Sequence, residues 1–362
     1  MADNQRVTGN LNIGPREGDD PAVYPLYKKI LSEYKQTILE HRLMPGDRIE
    51  SITGLQTKYR ISRETAKKVL NLLADEGLIE QHAGKGSFVA KPRDKKSVWG
   101  VVLPFYSIQY EDLLARIADK LAPRDRELRH FCDYNSWENE IRMVGSMLRE
   151  NYEAVIVIPT MEESKTKDFY LKRPSFGSPI VFLDHTMTNY DYPCVIQSYD
   201  LGLVRGMRRL LETTHRTIAL VKNDTWSGMN MIQEHLVETY EDFLQKQRPG
   251  ARPLVLSRVS DLSAAMVAEK GIEGIFCCDD ISAAQVIGRI GEQGIRVPGD
   301  IRVVSYGNTD VARYFTPAIT SVDSCNEEMA SNIVELLGPV MSGGAIENRR
   351  YVAQPEVIVR GT

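Results

Sequence analysis

The sequence predicts an α/β protein in two parts, an N-terminal winged helix-turn-helix and a longer two-lobed, doubly wound body. Three observations predict it. Residues 61–70, I-S-R-E-T-A-K-K-V-L, read as a charged amphipathic helix, and G-K-G-S-F-V at 84–89 reads as the tip and return strand of a hairpin. From Val98 onward, short apolar runs of strand length alternate with segments of helix length. Between the two regions lies P-R-D-K-K-S at 92–97, polar and charged as a linker is. A chain of 362 residues is too long for one ordinary domain, and its 42% apolar content suffices for more than one core.

Residues 1–21 are polar, with Gly14, Pro15, Gly18 and Pro21, and are expected to form a loose leader. The head is placed at 22–91. Its first helix starts near Pro25, carries Leu26, Ile30, Tyr34, Ile38 and Leu39 on one face, and stops before the turn signal M-P-G-D at 44–47. A short helix follows from about Ser51 to Tyr59. Ser62 is expected to cap a third helix that runs to Asp75 and closes at Gly77. L-I-E-Q-H and S-F-V-A then make two strands around Gly84-Lys85-Gly86.

The body is placed at 98–362. Its apolar runs are V-W-G-V-V-L at 98–103, A-V-I-V-I at 154–158, P-I-V-F-L at 179–183, T-I-A-L-V at 217–221, G-I-F-C-C at 274–278 and I-R-V-V-S-Y at 301–306. They lack period-two alternation, as strands of a parallel sheet buried on both faces do. Helices are predicted at about 107–121, 136–150, 200–213, 231–247, 280–293 and 325–341. Repeated βα units of this kind predict two lobes with a cleft at the carboxyl ends of the strands.

The net charge of −4 hides an uneven distribution. Residues 22–96 carry 15 Lys/Arg against 9 Asp/Glu, while 97–362 are net −8. A basic head on an acidic body points to a polyanionic partner for the head. The five cysteines are odd in number and have no C-x-x-C spacing, so neither a zinc site nor a disulfide framework is expected, and no metal or cofactor is assigned. The N-terminus M-A-D-N-Q-R-V-T-G-N has no apolar run, and no stretch approaches the roughly 18 apolar residues of a membrane span. A cytoplasmic protein without membrane contact is the expectation. No G-x-S-x-G, H-E-x-x-H or strand-following G-x-G-x-x-G occurs and the six histidines are scattered, so no catalytic residue is assigned. Ile79 stands where a phosphate loop ending in G-K-[ST] would need glycine.

In the head, a cap at Ser62 leaves helix N-terminal amides for a phosphate. Arg63 and Lys67 are four apart and share a face, as Glu64 and Lys68 do. Arg63 can pair with a guanine edge, and Thr65 can reach a base or a phosphate. Gly84 and Gly86 allow a tight turn and close approach to a duplex, while Lys85 supplies charge. The competing reading is a solvated helix face; the wing and the order of the motifs favour DNA.

The segment 25–90 resembles the winged helix-turn-helix of the GntR family of bacterial regulators. The resemblance rests on P-L-Y-K-K-I at 25–30, L-M-P-G-D-R-I at 43–49, S-R-E-T-A-K-K-V-L at 62–70, L-A-D-E-G-L-I at 73–79 and G-K-G-S-F-V at 84–89. It implies operator binding through Thr53, Ser62, Arg63, Thr65, Lys67, Lys68, Gly84, Lys85 and Gly86. Where the family often has P-S-E-R-E-L, this chain has E-S-I-T-G-L, so a frequent DNA-contacting arginine is Thr53, and another is Lys67. An operator unlike the family's usual one is therefore expected.

Residues 98–360 resemble the effector domain of the LacI/GalR regulators, which share the fold of periplasmic sugar-binding proteins. The matching pieces are G-V-V-L-P-F at 100–105, V-F-L-D at 181–184, T-H-R-T-I-A-L at 214–220, G-I-F-C-C-D-D-I-S-A at 274–283, G-I-R-V-P-G-D-I-R-V-V-S-Y at 294–306 and P-A-I-T-S-V-D at 317–323. A GntR head on a LacI-type, periplasmic-binding-protein-like body is the arrangement of the arabinose repressor group, which the chain resembles as a whole. This implies a homodimeric transcriptional regulator, expected to be a repressor of carbohydrate-utilisation genes. It would bind a pseudo-palindromic operator and hold a monosaccharide or a phosphorylated derivative between its lobes.

Sugar recognition takes carboxylates or amides for neighbouring hydroxyls and aromatic faces for C–H patches. Candidates follow the strand ends: Phe105, Tyr106 and Tyr110, then Asp184, Trp226, Asp279 with Asp280, and Asn308. Asp280 also reads as a helix cap, Tyr110 as helix core and Trp226 as a loop plug. An arginine common in the family is missing from Q-E-H-L-V-E-T-Y at 233–240, where Glu234 or His235 is expected to substitute, and the family's aspartate in V-G-F-D is Gly307. A sensor for a non-sugar ligand and an enzyme fused to a DNA-binding head are the competing readings.

Overall fold

The computed structural model describes residues 26–39, 42–75, 77–90, 96–171, 177–187, 191–223 and 231–362. They divide into two compact units, with the main boundary between Lys95 and Lys96.

In the head, α1 (Leu26–Leu39), α2 (Ile52–Tyr59) and α3 (Arg63–Asp75) precede the strands β1 (Ile79–His82) and β2 (Gly86–Val89). Ile30, Tyr34 and Ile38 of α1 recur every fourth residue and are buried against Ala66, Val69, Leu70 and Leu73 of α3. Ser51 starts α2 by accepting from the Gly54 amide at 3.1 Å, and Arg60 ends it in the left-handed region. The hairpin pairs Ile79 with Val89 and His82 with Gly86. Gly84 at φ +74° and Gly86 at φ +111° form its turn, which side-chain-bearing residues adopt only with strain. Arg48 bridges Phe88, and the Gly46 amide donates to the Val89 carbonyl at 2.8 Å, so the 46–49 segment flanks the hairpin as a third strand.

The body follows the predicted βα alternation. Lobe 1 is built from β3 (Lys96–Leu103), α4 (Ile108–Leu121), β4 (Glu127–Cys132), α5 (Trp137–Arg149), β5 (Tyr152–Val157), α6 (Glu163–Leu171), β6 (Ile180–Asp184) and β7 (Cys194–Gln197). The chain then enters lobe 2 with α7 (Tyr199–Leu211), β8 (Thr217–Val221), α8 (Met231–Gln247), β9 (Leu254–Leu256), α9 (Ala264–Lys270) and β10 (Ile272–Cys277). It continues with α10 (Asp280–Gly291), β11 (Arg302–Gly307), α11 (Asp310–Tyr314) and β12 (Thr320–Asp323). It returns to lobe 1 for α12 (Asn326–Leu337) and β13 (Arg350–Ala353), then ends in lobe 2 with β14 (Val357–Ile358).

Lobe 1 has the strand order β13-β7-β6-β5-β3-β4, all parallel. Lobe 2 has β14-β12-β11-β10-β8-β9, with only β14 antiparallel. Each sheet is buried on both faces, which is why the central strands read as continuous apolar runs. The lobes are joined by three crossings, after β7, after β12 and after β13. The Ser198 amide donates to the Ala353 carbonyl at 3.1 Å and the Asp323 amide to the Glu356 carbonyl at 2.8 Å, which ties the crossings together. All five cysteines are unpaired.

Candidate nucleic-acid interface and effector site

Burial of Ala66, Val69, Leu70 and Leu73 turns the other side of α3 outward. Arg63 and Lys67 are both exposed on it, and neither makes an ion pair or hydrogen bond among the described residues. Ser62 accepts from the Thr65 amide at 3.1 Å, and its hydroxyl lies 2.8 Å from that of Thr65, so both hydroxyls serve the helix start. Lys68 sits 4.0 Å from the centroid of the Tyr27 ring and packs on α1. Thr53 is exposed in the first turn of α2, and Gly84, Lys85 and Gly86 form the hairpin tip. Sequence reasoning missed Arg48, whose guanidinium lies 3.1 Å from where a Cβ on Gly86 would stand. The D-R-I of the turn motif contained the signal: a cation placed in the strand that flanks the wing.

In the body, the candidates gather at strand carboxyl ends. Phe105 lies 5.1 Å from the Tyr110 ring, and exposed Tyr106 meets His130 edge-on at 5.9 Å. Tyr110 is buried in the lobe 1 core, as the helix-core reading has it, and its hydroxyl donates to Asp184 Oδ2 at 2.9 Å. Asp184 is fully buried at φ +69°. It also accepts from Gln197 Nε2 at 2.6 Å and from the Tyr199 hydroxyl at 2.8 Å, with His185 Nδ1 at 3.2 Å. Burial alone would push this carboxyl upward; His185, Gln197 and Tyr199 outweigh it and hold the carboxyl below its ordinary value. Tyr306, from β11 of the other lobe, stacks on Tyr199 at 5.6 Å and donates to Gln197 Oε1 at 2.9 Å. Asp184 is therefore the centre of a hydrogen-bonded network at the hinge, and Gln197, Tyr199 and Tyr306 are members that no sequence motif advertised.

The paired aspartates divide their work differently from the expectation. Asp279, not Asp280, caps α10, accepting from the Ser282 amide at 2.7 Å. Burial raises its carboxyl above the ordinary range despite bonds from Ser282 and Asn223. Asp280 is buried and joins three elements, accepting from the Ser321 hydroxyl at 2.7 Å, the Thr309 amide at 2.7 Å and the Ser305 hydroxyl. Asn308, at φ +56°, donates its amide to Ser321 at 2.9 Å and accepts from Arg360, another residue the sequence reading did not select. Glu234 is exposed in the first turn of α8 and pairs with Lys222. His235 instead reaches Asp200 of α7 at 2.5 Å. Trp226 lies outside the described residues.

Lobe 1 holds one further polar cluster. Asp133 follows β4 and is fully buried, and neither of its carboxylate oxygens has a hydrogen-bond partner among the described residues. Burial, with the neighbouring Glu140 carboxylate adding to it, pushes Asp133 up to about 8. Glu140 is equally buried, and it accepts from the Thr160 amide and the Tyr170 hydroxyl, both at 2.6 Å. Among the described residues, no group of three or more His, Cys, Asp or Glu is placed to hold a metal ion, and no helix is long and apolar enough to cross a membrane.

Residues 26–89 match the family model for bacterial regulatory proteins of the gntR family, and residues 207–362 match that for the periplasmic binding protein-like domain. The HTH-type transcriptional repressor PurR of Histophilus somni (strain 129Pt) is 30% identical over 333 residues, 90% of this chain and 98% of that protein. The arabinose metabolism transcriptional repressor of Geobacillus stearothermophilus is 23% identical over 357 residues, 93% of this chain and 97% of that one. Among solved structures, a complex of the transcriptional regulator CelR with cellobiose superposes with a TM-score of 0.60 at 19% identity, over 83% of this chain and 91% of that chain. With a gntR-type head, a doubly wound two-lobed body and full-length likeness to repressors, the chain belongs to the bacterial HTH-type transcriptional repressors of the LacI/GntR type and is a DNA-binding regulator, not an enzyme.

Proposed function

We propose that this repressor controls carbohydrate-utilisation genes and is released from its operator by a small sugar or sugar derivative bound between its lobes. The observation that carries the reading is the set of carboxylate, amide and aromatic groups at the carboxyl ends of both sheets. Asp279, Asn308 and the Lys222–Glu234 pair belong to lobe 2, and Phe105, Tyr106, Tyr110 and Asp184 to lobe 1. Such groups fit a hydroxyl-rich ligand with apolar C–H faces. The three crossings let one lobe turn against the other. A ligand shifts that equilibrium only as far as it prefers one arrangement.

On this reading the leader spans 1–21, the DNA-binding head 22–91, the linker 92–97 and the effector body 98–362, in a cytoplasmic protein. Arg63, Lys67, Thr65 and Thr53, with the Ser62 helix start, meet the major groove, and Gly84, Lys85 and Gly86 with Arg48 meet the flanking backbone. Lys68, held on Tyr27, contributes charge nearby. Two heads reach the half-sites of a pseudo-palindromic operator through a body dimer.

The test is a thermal-shift screen against monosaccharides, followed by operator binding with the ligand found. A sugar is expected to raise the melting temperature and weaken operator binding. Asp279→Ala is expected to lose the ligand response while unliganded operator binding persists. Unchanged sugar affinity in that variant would remove Asp279 from the site, and no response to any sugar would reject the carbohydrate reading.

A further inference from the structure

Lobe 2 has a second concave surface, at the amino ends of β8 and β10, the opposite strand ends from those that carry Lys222 and Asp279. Three separate segments converge on it: T-H-R-T at 214–217, R-P-G-A-R at 248–252 and E-K-G at 269–271. The cleft has a volume of about 490 Å³, within the range of small-molecule sites. Arg216, Arg248, Arg252 and Lys270 line it against a single acidic residue, Glu269.

Two of these cations have structural duties. Arg248 follows α8 and donates to the Thr214 carbonyl at 2.5 Å and to that of Arg216. Lys270 ends α9 and pairs with Glu269 at 2.8 Å. Cations at helix carboxyl ends are favoured by the helix dipole, so neither calls for a ligand. That account does not extend to Arg216 and Arg252. Arg216 immediately precedes β8, is 72% exposed in its side chain and makes only a loose ion pair with Glu273 at 3.9 Å, beyond hydrogen-bond reach. Glu273 is already engaged by the amides of His215 and Arg216, at 2.8 and 3.1 Å. Arg252 is exposed and has no ion pair among the described residues. Two guanidinium groups with unused donors thus share one cleft with two further cations, an arrangement of like charges that an anion relieves.

We propose that this cleft binds a small anionic ligand bearing a phosphate or an equivalent dianion, separately from the effector between the lobes. Guanidinium groups match the geometry of phosphate oxygens. A concave cleft of this size admits a metabolite.

The probe is inorganic pyrophosphate, titrated calorimetrically into the full-length protein without DNA or sugar, at constant ionic strength. Saturable binding is expected, weakened at least about tenfold by Arg216→Ala combined with Arg252→Ala. The melting temperature of the unliganded double variant should match that of the parent, because both side chains are exposed. Absence of binding at millimolar pyrophosphate, or equal affinity in the double variant, overturns the proposal. So does loss of pyrophosphate binding on Asp279→Ala, which would place the anion between the lobes. None of these results bears on the sugar screen.

Discussion

Asp133 and Asp184 are both completely buried in lobe 1, yet they sit in opposite electrostatic settings. Asp184 is surrounded by donors and stays ionised. Asp133 is held by no well-formed hydrogen bond and faces Glu140; burial and that carboxylate outweigh the nearby backbone amides of Asn135 and Ser136, so its proton is retained to about pH 8. An unfolded aspartate releases its proton near pH 4. The stability that native Asp133 contributes is therefore complete below that value and is lost as pH rises towards about 8. Asp133→Asn should raise unfolding stability by about 2 kcal/mol near pH 8 and flatten the pH dependence, as urea denaturation would register. A variant with an unaltered pH profile would show that another group governs it. In the head, Arg63 carries an uncommitted guanidinium on the exposed face of α3. Arg63→Ala should cost about 1–3 kcal/mol in operator affinity and relax preference at one base position, read by fluorescence anisotropy on a set of single-base operator variants.

At the scale of elements, α7 lies on the lobe 2 sheet with almost no clearance. A Cβ on Gly206 would stand 2.5 Å from Phe276 and 3.0 Å from Val322. Gly206→Ala should lower stability by about 1–2 kcal/mol, since overpacking outweighs the gain in helix propensity. Gly288 in α10 is exposed with no atom within 4 Å of its Cβ position, so Gly288→Ala should instead stabilise by about 0.5–1 kcal/mol. The two midpoints moving in the same direction would contradict this packing. The elements legible in the sequence are those with a periodic or continuous apolar signal or a clear turn: α1 to α3 and the hairpin of the head, and in the body α4, α5, α7, α8, α10 and α12 with the central strands β3, β5, β6, β8, β10 and β11. The edge strand β4, E-L-R-H-F-C, was not read because it buries little but Cys132 and so shows no apolar run. β7, β12, β13 and β14 have two to four residues each and are defined by their neighbours. The cap of α10 was read ambiguously because adjacent aspartates offer the same chemistry, and only the backbone path sends Asp279 to the amide of Ser282.

At the scale of the whole body, the lobes communicate through a short polar relay. Tyr306 of lobe 2 donates to Gln197, which donates to Asp184, which also receives Tyr110 and Tyr199. A Cβ on Gly202 would stand 2.7 Å from the Tyr306 hydroxyl, so the ring is confined between α7 and the hinge. Tyr306→Phe removes one hydrogen bond between lobes and keeps the ring stacked on Tyr199. It should cost about 1 kcal/mol in the lobe arrangement that forms the bond and change effector affinity several-fold. Effector titrations of parent and variant would measure it. Identical curves would show that the relay is indifferent to lobe movement.

The sequence by itself determined the two-part architecture, the recognition helix with its wing, and the alternation of strands and helices in the body. These rest on local periodicity, capping and glycine placement within a few residues. The effector-site candidates were legible as residue types after strand ends, because a doubly wound sheet places its ligand groups there. Only the tertiary structure decided which of them are already engaged. Asp184 meets Tyr110 from 74 residues earlier, Asp280 meets Ser321 from 41 later, and Arg360 returns to Asn308. The three lobe crossings bring these partners together across the chain, and no pattern in neighbouring residues encodes such meetings.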